Sequence, residues 1–100
     1  MYDDLRVWLI HPKEEMTAAF RERFSDLPNV EVLQKRFEEL GPHDCFVTAA
    51  NAFGMMTAGI DAAVIARFGE DLMKRIQFRI MDEYLGEQPV GTAFLIETHD

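Results

Sequence analysis

Strands and helices alternate along this chain. That alternation predicts an α/β fold of three layers, α/β/α, around a mixed and partly parallel sheet. Three stretches carry the prediction: Leu5 to Leu33 reads strand, helix, strand; Asp44 to Ala49 is apolar almost throughout; and Asp71 to Leu85 is an amphipathic helix followed by a short apolar run. At 100 residues the chain is one domain's worth, so a single domain over residues 1–100 is expected.

The first strand is expected over Leu5-Arg6-Val7-Trp8-Leu9-Ile10, ended by His11-Pro12. Glu14 to Ser25 reads as a helix, because Met16, Phe20 and Phe24 recur every four residues as an apolar stripe. Glu14 and Glu15 open it and Arg21 and Arg23 lie near its end, the arrangement the helix dipole favours. Asp26-Leu27-Pro28-Asn29 is a turn, and Val30-Glu31-Val32-Leu33 is the second strand. A β-α-β order predicts two parallel strands with a right-handed crossover.

Gln34 to Leu40 is charged and has room for one helical turn before Gly41-Pro42-His43 breaks it. Asp44 to Ala49 lacks polar alternation, so it is expected as a central third strand covered on both faces. Cys45 would then be a buried small hydrophobe. Asp61 to Phe68 reads as a short helix interrupted by Gly69. Asp71 to Leu85 follows as a longer one, with Leu72, Ile76, Ile80 and Tyr84 along one face and Gly86 as its C-terminal cap. Gln88-Pro89-Val90-Gly91 is a turn before a fourth strand, Thr92 to Ile96. Trp8, Phe78 and Phe94 are expected in the core, since aromatic burial dominates small domains.

Composition narrows the functional classes. A hydrophobic share of 48% with 28% charged residues is that of a soluble globular chain. No apolar run approaches the roughly 20 residues that span a bilayer, so no membrane partner is expected. The start, Met1-Tyr2-Asp3-Asp4, is acidic, unlike a secretory signal. Cys45 is the only cysteine, which excludes an internal disulfide and fits a reducing cytoplasm. A net charge of −8 argues against nucleic-acid binding, yet leaves room for one small anion held by backbone N–H groups at a helix start. His11, His43 and His99 lack zinc-ligand spacing and cysteine partners, so neither a metal nor a resident cofactor is expected. Glu38-Glu39, Asp82-Glu83 and the basic residues Lys74, Arg75 and Arg79 read as solvated helix faces.

The stretch after the third expected strand holds the most chemistry. In open α/β sheets ligands bind beyond the carboxyl ends of the strands, where Asn51, Gly54, Gly59 and Asp61 fall. Asn51 offers hydrogen bonds, the glycines permit positive φ and close approach to the backbone, and the following helix presents free N–H groups. Two readings stand side by side. The segment cradles a ribose and a diphosphate, or it is an ordinary βα loop in which Asn51 bonds to backbone and Asp61 caps the helix. Met55 and Met56 are either a flexible lid or gap-fillers in a core or interface.

Asp44-Cys45-Phe46-Val47-Thr48-Ala49-Ala50-Asn51, the loop after it and Gly59-Ile60-Asp61-Ala62-Ala63-Val64 resemble the signature of macro domains. In that family a strand ends in N-A-A-N, and a glycine-rich loop leads to a helix opening G-V-D-x-A-I. Gln88-Pro89-Val90-Gly91-Thr92-Ala93-Phe94-Leu95-Ile96 is similar to the family's P-x-G-x-A strand, so the likeness runs from Asp44 to Glu97. It implies a macro-type α/β/α fold and a module that binds ADP-ribose or a related nucleotide. The implied ligand-binding set is Ala49, Ala50, Asn51, Thr57, Ala58, Gly59, Ile60 and Asp61. Asn51 would meet the distal ribose, and Gly59 and Ile60 would face the diphosphate. In the hydrolytic branch of the family Asn51 and Asp61 would form the catalytic pair for ADP-ribosyl bonds.

The sequence departs from the pattern where Thr48 replaces the first Asn and Met55-Met56-Thr57-Ala58 replaces glycines. Gln34-Lys35-Arg36-Phe37 also lacks the family's adenine-recognising acid. The C-terminal part of the usual fold is expected to be missing, which opens an alternative: a degenerate macro-like fold used for homo-oligomeric or partner assembly without a ligand.

Overall fold

The parallel pairing expected from the strand–helix–strand order is present. β1 (Val7–Ile10) and β2 (Val30–Leu33) run parallel, with Val7 opposite Val30 and Ile10 opposite Leu33. The computed structural model describes residues 4–98; the acidic start at Met1 to Asp3 and the terminal His99 and Asp100 lie outside them. The chain divides into two compact units, one ending at His43 and the other beginning at Asp44.

In the first unit, α1 (Glu14–Phe24) joins the two strands and packs on both. Backbone bonds extend the pairing past the strand ends: the Val7 N–H donates to the Asn29 carbonyl at 2.9 Å and the His11 N–H to the Leu33 carbonyl at 3.2 Å. The apolar stripe expected on α1 is only partly used. Met16 and Phe24 are 43% and 38% exposed, and the fully buried residue of α1 is Thr17. Two strands about 5 Å apart are too narrow to cover a stripe running the length of a helix, so the contact centres on the small Thr17. Its hydroxyl donates to the Glu14 carbonyl at 3.0 Å, which removes the cost of burying it unbonded.

Trp8 is not in the core as expected. It is half-exposed, its ring edge-on to His43 at 6.5 Å; successive strand residues point to opposite faces, and its neighbours Val7 and Leu9 are the more buried ones. Phe37, in the 3₁₀ turn Phe37–Glu39, is the buried aromatic among the described residues of this unit. The Glu39 carboxylate closes that turn by accepting the Arg36 N–H at 2.8 Å.

The second unit is built on α2 (Gly59–Phe68) and α3 (Glu70–Tyr84), which pack together. Gly69, at φ 94°, ends one helix and starts the other, a conformation that favours glycine. Val64 from α2 meets a core with Met56, Leu72, Ile76 and Ile80. The face read from the four-residue spacing on α3 is therefore buried, with Tyr84 half-buried at its end. The left-handed residue closing α3 is Leu85, at φ 60°, one position before the glycine expected there. The N–H groups of Leu85 and Gly86 both reach back to the Ile80 carbonyl, that of Gly86 at 3.2 Å.

The segments expected as third and fourth strands, 44–49 and 92–96, form no ladder among the described residues. Val47 is 96% exposed, Leu95 78% exposed, and Cys45 is exposed rather than buried. Side chains hold these segments instead. Phe46 stacks on Phe68 at 5.8 Å, the Arg79 guanidinium donates to the Leu95 carbonyl at 2.9 Å, and that of Arg75 donates to the Glu97 carbonyl. Phe94 is half-buried between Tyr84 and Arg79. Phe78 is 73% exposed, since it lies on the side of α3 away from Leu72, Ile76 and Ile80. The architecture is thus mixed α/β, with one helix on a two-stranded parallel sheet that these segments do not extend.

Candidate functional site

The loop from Ala49 to Ala58 and the start of α2 are positioned by contacts with α3. Asn51 opens a tight turn: its side-chain oxygen accepts the Phe53 N–H at 2.7 Å and its carbonyl accepts the Gly54 N–H at 2.9 Å. This is an Asx turn followed by a β-turn, and it is the backbone-bonding role weighed for Asn51 on the sequence alone. The Asn51 side-chain NH₂ keeps its two donors for another group.

Gly54 follows at φ 76° and is buried. A Cβ there would lie 2.9 Å from Gln77 Cγ and 3.3 Å from both Ile76 Cγ2 and Ile80 Cδ1. Gln77 donates from its side-chain amide to the Gly54 carbonyl at 3.1 Å. The close approach that this glycine permits is therefore made by α3. Met56 is buried, with its N–H directed at the Met73 sulfur at 3.4 Å, while Met55 is 59% exposed. Of the two readings for this pair, Met56 fills the core. A backbone bond of 2.9 Å from the Gln88 N–H to the Ala52 carbonyl ties the loop to the turn before the last extended segment.

Beyond Met56 the chain opens to solvent. Thr57, Ala58, Gly59 and Ile60 are exposed, as are Ala49, Ala50 and Asn51, and Asp61 is half-buried. Gly59 adopts φ 59° with no atom within 4 Å of where a Cβ would stand. Ala58 is the N-cap, at φ −143° and ψ 159°, and no side chain caps the helix. The first-turn N–H groups of α2 accordingly face outward at the positive end of the helix dipole. Asp61 sits in that first turn but does not cap it. Its Oδ1 accepts the Thr48 hydroxyl at 3.1 Å, leaving Oδ2 as an acceptor. The residue spacing gave no sign that Thr48 and Asp61 would meet, because they are thirteen positions apart and joined by an irregular loop.

The two described histidines, His11 and His43, are engaged locally. His11 Nδ1 accepts the Lys13 N–H at 3.0 Å, and His43 Nδ1 donates to the Gly41 carbonyl at 3.0 Å. Among the described residues no group of three or more His, Cys, Asp or Glu side chains is placed to hold a metal ion. No helix among them is long and apolar enough to cross a membrane. Comparison with protein-family models, curated proteins and solved structures finds no match to this chain.

Proposed function

We propose that the segment from Thr48 to Asp61 binds ADP-ribose or a related nucleotide, with the diphosphate at the start of α2. The observation that carries this reading is the uncapped, exposed first turn of α2, next to a carboxylate held by Thr48. The resemblance of 44–51 and 59–64 to the macro-domain signature supports it. Outward N–H groups and the helix dipole together favour a phosphate there. The Asn51 amide donors and the second oxygen of Asp61 supply partners for ribose hydroxyls. Binding without turnover is the primary reading; hydrolysis of an ADP-ribosyl bond, with Asn51 and Asp61 as the reacting site's side chains, is the further one.

Calorimetric titration of ADP-ribose into the chain tests the reading, and Ala58→Asp is the decisive variant. A carboxylate at the N-cap would accept first-turn N–H groups and should raise stability by about 1 kcal/mol. It would also occupy and repel at the place assigned to the diphosphate. The expected outcome is a higher melting temperature together with loss of ADP-ribose binding. Undiminished binding in this variant would remove the diphosphate from the start of α2, and no saturable heat with the parent chain would remove the nucleotide altogether. For the hydrolytic reading, Asp61→Ala should keep the fold and abolish ADP-ribosyl release; release at the parent rate rules it out.

A second reading, assembly without a ligand, is favoured by the apolar side chains left in solvent at Val47, Val90 and Leu95 in the irregular segments, where they are 96%, 104% and 78% exposed.

A further inference from the structure

The segment with the composition of a fourth strand is fastened to a helix. From Ala93 to Thr98 exposed and half-buried residues alternate: Phe94, Ile96 and Thr98 are half-buried, and Ala93, Leu95 and Glu97 are exposed. That is the alternation of an extended chain lying on a surface. α3 grips its backbone, with Arg79 donating to the Leu95 carbonyl at 2.9 Å and Arg75 to the Glu97 carbonyl. The spacings match. Carbonyls two residues apart on an extended chain point the same way and lie about 6.6 Å apart. Residues four apart on a helix are separated by about 6 Å along its axis. The later arginine takes the earlier carbonyl, so the segment runs antiparallel to α3.

The helix prepares this grip. Asp71 holds the Nε of Arg75 at 3.0 Å and Glu83 holds the Nε of Arg79, while Nη1 of each guanidinium donates to the segment. The two acids orient the two forks from outside the arginine pair. The Arg79 guanidinium also lies 5.1 Å over the Phe94 ring. Apolar burial adds little at Val90 and Leu95, which are 104% and 78% exposed. A segment held by a few polar contacts is one that opens locally, without global unfolding.

Its other end bears on the loop before α2. The Gln88 side-chain amide donates to the Thr92 carbonyl at 2.9 Å, and the Gln88 backbone N–H donates to the Ala52 carbonyl at 2.9 Å. Ala52 lies within the turn in which Asn51 accepts the Phe53 and Gly54 N–H groups. The docked and released forms of the segment therefore support that turn differently, which is the two-state element that coupling requires.

We propose that residues 88–97 form a strap, set in register on α3 by Arg75 and Arg79, that positions the Asn51 turn through the Gln88–Ala52 bond. Its bearing on a ligand rests on the nucleotide reading, in which that turn aims the Asn51 amide; the strap itself does not.

Hydrogen exchange of the Gly54 amide, followed by NMR, tests the strap with no ligand present. Arg79→Ala should keep the helix content by circular dichroism, since alanine favours a helix. It should speed Gly54 exchange roughly fivefold, the effect of losing about one hydrogen bond's support. Gln88→Pro deletes the N–H that bears on Ala52 and should act similarly. In that background Arg79→Ala should add less than about twofold, because the link it acts through is already cut. Gln88→Glu, which puts an acceptor where the Thr92 carbonyl needs a donor, makes the same cut by a second route. ADP-ribose affinity should fall with Arg79→Ala, and unchanged affinity beside faster exchange would detach the ligand from the strap. No binding by the parent chain would remove the nucleotide reading and leave the exchange result standing. The strap is overturned if Gly54 exchange ignores Arg79→Ala. It is also overturned if the substitutions at 79 and 88 multiply independently, which would route the effect of Arg79 through α3 and Gln77.

Discussion

Gly54→Ala should destabilise the second unit by about 2–4 kcal/mol, a large effect for one methyl group. Two costs combine. At φ 76° an L-residue pays the strain of the left-handed region. The added carbon would also stand 2.9 Å from Gln77 Cγ and 3.3 Å from two isoleucine side chains of α3, closer than a packed interior tolerates. Gln77 can swing away, but it then releases the Gly54 carbonyl it holds at 3.1 Å. Ile76 and Ile80 are themselves in the core and have little room to move. Gly59→Ala serves as the comparison: φ is 59° and nothing lies within 4 Å, so only the backbone strain of about 1–2 kcal/mol should appear. Thermal melting of the two variants checks this. Equal losses would mean that α3 yields to the added methyl without cost.

Leu72→Ala should cost about 2–5 kcal/mol, the range for a fully buried leucine whose cavity is not refilled. Leu72 is 2% exposed, one of the buried apolar residues of the second unit with Val64 and Met56. For a domain of this size that loss lowers the melting temperature by about 10 °C or more. The same substitution at Leu95, 78% exposed, should change stability by no more than about 0.5 kcal/mol. Urea unfolding of both variants separates burial from composition. A large loss at Leu95 would show that the segment after Thr92 is packed more tightly than its exposure states.

The buried face of α3 was legible because helical periodicity is local: Leu72, Ile76 and Ile80 recur at the spacing of one turn, and whatever packs on the helix meets that side. The β1–α1–β2 order was legible for a similar reason, since short apolar runs bounded by His11-Pro12 and by the turn at Pro28-Asn29 mark their own ends. Gly54 and Gly59 permit positive φ by residue type, and both adopt it. The role of Gly54 was not legible, because its neighbour Gln77 lies on a helix twenty-three residues later. The Thr48–Asp61 bond was hidden for the same reason.

The failures share a cause. Asp44 to Ala49 and Thr92 to Ile96 have the composition of strands, which predicts a place inside a sheet. A strand exists only when a second segment supplies its hydrogen bonds, and no such segment pairs with either among the described residues. Cys45 and Val47, which lie in the first of these segments, are exposed with it. In this chain the amino-acid pattern was enough to settle the helices, their buried stripes and one β-α-β unit, because those depend on neighbours within a few turns of chain. Which glycine packs against a helix, which carboxylate finds a hydroxyl, and which apolar side chains are left facing water depended on distant segments meeting in space, and their long separation along the chain kept those outcomes out of the sequence pattern.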